Sequence, residues 1–69
     1  MEHVRFTIDG LEEMESQVRV RDQLEGIVGV RAVSISEGQN YVDINYDDQT
    51  SIAEIHNHLQ NNGYKVLDL

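Results

Sequence analysis

The sequence predicts an α+β fold in the order β-α-β-β-α-β, a four-stranded antiparallel sheet with two helices on one face. Three observations predict it. Apolar and polar residues alternate at period two around Val4, Phe6 and Ile8, around Val33 and Ile35, and around Val42, Ile44 and Tyr46. Two stretches between and after these runs instead carry helical spacing, Val20-Leu24-Ile27-Val28 and Ile52-Ile55-Leu59. The two halves repeat one plan, a helix after the first strand and a helix after the third. That is the split βαβ, or ferredoxin-like, arrangement, and its two right-handed crossovers place both helices on one side of the sheet.

The elements follow in order. Val4, Phe6 and Ile8 alternate with Arg5, Thr7 and Asp9, and Gly10 ends the strand. A helix is predicted over 13–27, with Glu12, Glu13 and Glu15 at its start, where the helix dipole favours negative charge. Val20, Leu24, Ile27 and Val28 form its buried stripe, and Gly29 is its expected C-terminal stop. The tetrad Glu37-Gly38-Gln39-Asn40 signals a hairpin turn between the second and third strands. The polar run 47–51 offers N-cap oxygens, and Glu54 stands near a capping-box position if Thr50 or Ser51 caps. Ile52, Ile55 and Leu59 mark the buried face of a second helix that ends at Asn62-Gly63. Residues 64–69 are expected to form the fourth strand, with Val66 inward.

Sixty-nine residues make one domain, 1–69. A domain of this size buries only about 60% of its unfolded surface. The chain has no cysteine. No disulfide can staple it, which favours a cytoplasmic setting, and no thiolate can hold a soft metal. No signal-peptide core and no membrane-length apolar run interrupts it, so no membrane insertion is expected. The net charge is −8, with residues 1–35 at −3 and residues 36–69 at −5. No basic patch stands out, so nucleic acid is not an expected partner, and a basic protein surface fits better.

In register with the motif Gly10-Leu11-Glu12-Glu13-Met14-Glu15-Ser16, the chain resembles the heavy-metal-associated domain of copper chaperones and metal-pumping ATPases. That family shares the element order and the length, and its first loop typically reads Gly-Met-Thr-Cys-x-x-Cys. Val20, Leu24, Ile27, Gly29 and Val30 match the family's helix-1 core, its turn glycine and the following valine. Tyr46-Asp47 and Asn62-Gly63-Tyr64 resemble the ends of its third strand and second helix, the tyrosine pointing back to the metal loop. The resemblance places Glu13 and Ser16 where the family has its two cysteines. Copper(I) is soft, and a carboxylate and a neutral hydroxyl cannot replace two thiolates. Transport of copper(I) by the family mechanism is therefore expected to be absent. Leu11 stands for the family's methionine, and both fill an apolar gap.

Four constellations can be weighed. The acids Glu12, Glu13 and Glu15, with Ser16, suit a hard divalent ion, but they lack the spaced oxygens of a calcium loop and lie at a partly positive helix end. His56 and His58 are about 200° apart on a helix at roughly 100° per residue, so they cannot share a metal. Asp47-Asp48 reads as a turn and cap rather than as acid/base machinery. No nucleophile with a base and no phosphate loop is present, so the chain is not expected to be an enzyme. Finally, with Val20 at zero on the wheel, Met14 and Val18 fall at about 120° and about 160°. Met14 and Val18, with Leu11 and Tyr64, are expected to form a small exposed apolar patch rimmed by Glu12, Glu13 and Glu15.

The reading that follows is a heavy-metal-associated-like domain without the thiolate site, a protein-binding or regulatory module whose contact residues are Leu11, Glu12, Glu13, Met14, Ser16, Val18 and Tyr64. It takes no cofactor. The alternative is a harder divalent metal held by Glu12, Glu13, Glu15 and Ser16 of the 10–16 loop. The expected oligomeric state is a monomer or a weak dimer, since the second strand should lie at a sheet edge that can pair between chains.

Overall fold

The period-two runs become a sheet with one apolar face. In the computed structural model, which describes residues 1–67, the elements are β1 (Glu2–Thr7), α1 (Met14–Glu25), β2 (Val30–Ser34), β3 (Tyr41–Tyr46) and α2 (Ile52–Asn61). The strands are antiparallel in the order β1-β3-β2. Phe6 lies opposite Val42, and both Val4 and Val33 lie opposite Ile44. Directly paired residues share a face, so these side chains form one apolar surface. Both helices pack over it. Val20 and Leu24 of α1 and Ile55 and Leu59 of α2 are fully buried with Phe6, Val42 and Ile44.

The other face of the sheet is polar. Arg5 Nε donates to Asp43 Oδ1 at 2.8 Å, across the register pair Arg5↔Asp43. His3 Nε2 lies 3.1 Å from the same oxygen, and the Arg5 guanidinium sits 4.2 Å from the Tyr41 ring centroid. Arg5 is the first cause of the lowered Asp43 pKa, and His3 adds to it.

The expected fourth strand is not found among the described residues. Residues 64–67 make one antiparallel bridge, Ile8↔Val66, on the side of β1 away from β3. Asp9 N donates to Lys65 O at 2.9 Å and Leu67 N to Thr7 O at 2.8 Å. Those two bonds flank a single residue pair, too short a ladder to count as a strand. Residues 68 and 69, the rest of the expected strand, lie outside the described residues.

The first helix is shorter than its apolar pattern. It ends at Glu25 with Gly26 as C-cap, and Gly29 instead takes φ +102° in the turn that follows. Beyond Glu25 the wheel no longer applies, so Ile27 stays half-buried while Val28, expected inward, is 72% exposed. Ile52, expected on the buried face, is 37% exposed at the first position of α2, while Ile55 and Leu59 are fully buried. Ser51 caps α2, its hydroxyl accepting from Glu54 N at 3.2 Å. The hairpin turn forms as expected, with Gln39 N donating to Ser36 O and Gly38 at φ +79°.

Candidate functional site

The loop between β1 and α1 is built from successive tight turns. Leu11 N donates to Ile8 O at 3.2 Å and Glu13 N to Gly10 O at 3.3 Å. Gly10 sits at φ +82°, a conformation glycine adopts without the Cβ penalty. Glu13 is the N-cap of α1 in an extended conformation, and its carbonyl receives Gln17 N at 3.0 Å. Its carboxylate makes no capping bond. The two positions that match the family's cysteines are therefore a helix cap, Glu13, and a first-turn residue, Ser16.

The structure divides the expected contact residues. Glu12, Glu13, Met14 and Glu15 are exposed, and Ser16 is half-buried. Met14 is 68% and Val18 56% exposed. Four residues apart on one helix, they are surface neighbours. Leu11 is not part of that patch. It is fully buried among Phe6, Ile8, Leu24 and their neighbours, because the turn after Gly10 folds it under the loop. Tyr64 is half-buried against the same core, in the segment that the Asp9–Lys65 bond ties beside the loop. The exposed surface is thus Glu12, Glu13, Met14, Glu15 and Val18, with Leu11 as its support from beneath.

The charges on this surface are largely uncompensated. Glu15 pairs with Arg19 one turn on, but both side chains are well exposed, and such pairs contribute little to stability. Among the described residues, Glu12 and Glu13 have no ion-pair partner. Nor do any three His, Asp or Glu residues among them cluster so as to hold a metal ion. The donor set fails the soft-ion test as well: Met14 brings one thioether, and the chain has no thiol. His56 and His58 go to different neighbours, His58 to Gln23 at 3.1 Å and His56 to the Phe6 ring, centroids 6.1 Å apart.

Other features lie away from the loop. An open depression of about 620 Å³ is lined by Met1, Tyr46, Asp47, Thr50 and Ile52, at the end of β1 opposite Gly10. Asp47 there has a lowered pKa, caused first by the hydrogen bond from Gln49 N and then by Arg31. The sequence pattern also gave no sign of two α1 side chains that reach the β2 segment, Gln17 and Arg21. Their spacing of four was visible, but their target depends on how α1 crosses the sheet. Among the described residues, no helix is long and apolar enough to cross a membrane.

No protein-family model matches the chain, and no curated protein does. Solved structures do. The chain superposes on the CopZ metallochaperone with a TM-score of 0.83 at 19% identity, covering 96% of this chain and 100% of that one. A copper binding domain from HMA7, a P-type ATPase, matches with a TM-score of 0.84 at 20% identity, over 99% and 96% of the two chains. Oxidized MerP from Ralstonia metallidurans CH34 matches with a TM-score of 0.83 at 18% identity over 97% of each. At such identities the likeness establishes the fold. This chain accordingly has the fold of the heavy-metal-associated domains of copper chaperones and metal-pumping ATPases, and it carries none of the cysteines on which their thiolate site depends.

Proposed function

We propose that this domain is a protein-binding or regulatory module related to metal-transport proteins, working through the exposed start of α1 rather than through a bound ion. The observation that carries the reading is the pairing of Met14 and Val18, 68% and 56% exposed, beside the carboxylates of Glu12 and Glu13, which have no ion-pair partner among the described residues. Apolar side chains ringed by acids fit a partner whose contact surface is apolar at its centre and basic at its rim. Burying the two side chains would supply a few kcal/mol on the scale of about 25 cal/mol per Å². The net charge of −8 would mainly accelerate encounter and make it salt-dependent.

The neighbours support the placement. The solved structures it resembles are those of metallochaperones and of a copper binding domain of a P-type ATPase, and the family resemblance sets Glu13 and Ser16 of this loop at the positions of the metal-binding cysteines. Here that loop keeps its turns and its buried anchor, Leu11, while Glu13 and Ser16 replace the donors. The domain is read as non-enzymatic and as working without a cofactor.

The test compares the wild-type domain with Met14→Glu/Val18→Lys as affinity baits. Partners retained by the wild type and lost by the double variant, with association rates that fall as salt rises, support the reading. Equal retention of every partner by both baits overturns it.

A further inference from the structure

Beyond that reading, the edge of the sheet at β2 carries a device of its own. Among the described residues, β2 pairs with β3 on one side only. In an antiparallel ladder, residues alternate between bonding the partner strand and facing away from it. Asp47 N donates to Gly29 O at 2.8 Å and Val30 N to Ile27 O at 3.1 Å, which turns the Val30 backbone groups away from β3. After the irregularity between Val30 and Ala32, the alternation turns those of Val33 outward as well. The outward Val33 carbonyl is not left to solvent. Arg21 Nη1, from α1, donates to it at 3.0 Å in a partly buried bond. One helical turn earlier, Gln17 Nε2 donates to Ser36 O at 3.1 Å and lies 3.4 Å from Gln39 O.

We infer that Arg21, seconded by Gln17, holds the β2 edge closed to strand pairing, and that a second copy of this chain is what the edge would otherwise take. An open edge is a template for another strand, and natural proteins cover it with charge or with a neighbouring element. The segment 30–36 reads Val-Arg-Ala-Val-Ser-Ile-Ser. It contains no acid in a chain with thirteen, no proline, and three β-branched apolar residues. Two such edges can lie antiparallel about a two-fold axis at Val33 without opposing carboxylates. The remaining obstacle between copies is long-range repulsion, which salt screens. Arg21 is also on the core-facing half of α1, next to Val20, so its position is set by helix packing rather than by a flexible loop.

The experiment measures self-association by sedimentation velocity in high salt for the wild type, Arg21→Lys and Arg21→Met, with amide hydrogen exchange at low and high protein concentration. The wild type and Arg21→Lys, which keeps a donor, are expected to remain monomeric. Arg21→Met, which keeps the apolar stem and loses the donors, is expected to self-associate at least about tenfold more tightly, with concentration-dependent protection of the Val33 and Ile35 amides. If Arg21→Met does not fold, as judged by circular dichroism, Arg21→Gln is measured in its place, since its shorter stem leaves the amide short of the Val33 carbonyl. A folded variant that stays as monomeric as the wild type overturns the inference. So does a dimer whose newly protected amides lie at 14–18 instead of 33–35, an outcome that would point to the Met14–Val18 surface.

Discussion

Gly29 and Asp47 clasp each other across the end of the sheet: the Asp47 amide donates to the Gly29 carbonyl at 2.8 Å, and a Cβ on Gly29 would stand 3.0 Å from Asp47 Oδ1 and 2.9 Å from Thr50 N. Gly29 also holds φ +102°. Gly29→Ala therefore meets both backbone strain and a backbone clash, and is expected to cost about 1–3 kcal/mol. In a domain of this size about 1 kcal/mol moves the melting temperature by roughly 4–8 °C, so calorimetry reads it. An alanine variant that melts with the wild type would contradict the close approach.

Leu11 tests the division between core and surface. As a fully buried side chain, Leu11→Ala should lower stability by about 2–5 kcal/mol. Leu11→Met, nearly equal in volume, should cost less than about 1.5 kcal/mol. Urea titration distinguishes them. A residue that instead met a partner from the surface would show the reverse, with little stability change on truncation.

The Glu13 and Ser16 positions can be given back their sulfur. On this scaffold Glu13→Cys/Ser16→Cys is expected to bind copper(I) in competition with a chromogenic chelator, while the wild type leaves the chelator complex intact. Failure of the double cysteine variant to take copper(I) would mean that the loop geometry, and not only the donors, has departed from the family.

The Ser51 cap predicts a smaller effect. Its hydroxyl accepts from Glu54 N at 3.2 Å, so Ser51→Ala should cost about 0.5–2 kcal/mol, and Ser51→Asp should restore most of it. Thermal melts of the two variants side by side provide the check.

Acid stability should depend on Asp43. Arg5 holds its carboxyl below the ordinary 3.8. A group whose pKa is lowered on folding binds fewer protons in the native state, so its contribution is complete above the unfolded value and is lost as pH falls through the folded one. Denaturant midpoints taken from about pH 5 down to about pH 2 should drop for the wild type and drop less steeply for Asp43→Asn. Because Arg5 and Asp43 are partly exposed, the difference is expected to be modest and to shrink in salt. Asp47, lowered for its own reasons, keeps some slope in the variant.

Much of this protein was legible in its residues one stretch at a time. Period-two runs at Val4–Ile8 and Val42–Tyr46, helical spacing at Val20–Leu24 and Ile55–Leu59, and the cap at Ser51 are local patterns, and each element formed where its pattern lies. The lack of sulfur donors is a matter of composition, and the outward direction of Met14 and Val18 followed from helical geometry alone. The remaining features depend on contacts between distant segments. Leu11 is buried because the turn at Gly10 folds it beneath the loop, into the apolar gap that the family resemblance gave it although the exposed patch had also claimed it. Val28 is exposed because α1 stops at Gly26, which a wheel continued past that residue could not show. The last segment contributes one bridge at Val66, because a strand is defined by the length of ladder it shares with β1. Arg5 met Asp43, and Arg21 met Val33, only when strand register and the crossing of α1 over the sheet were set. Local spacing chooses elements; the partners of a long polar side chain are chosen by where packing of the apolar faces leaves it.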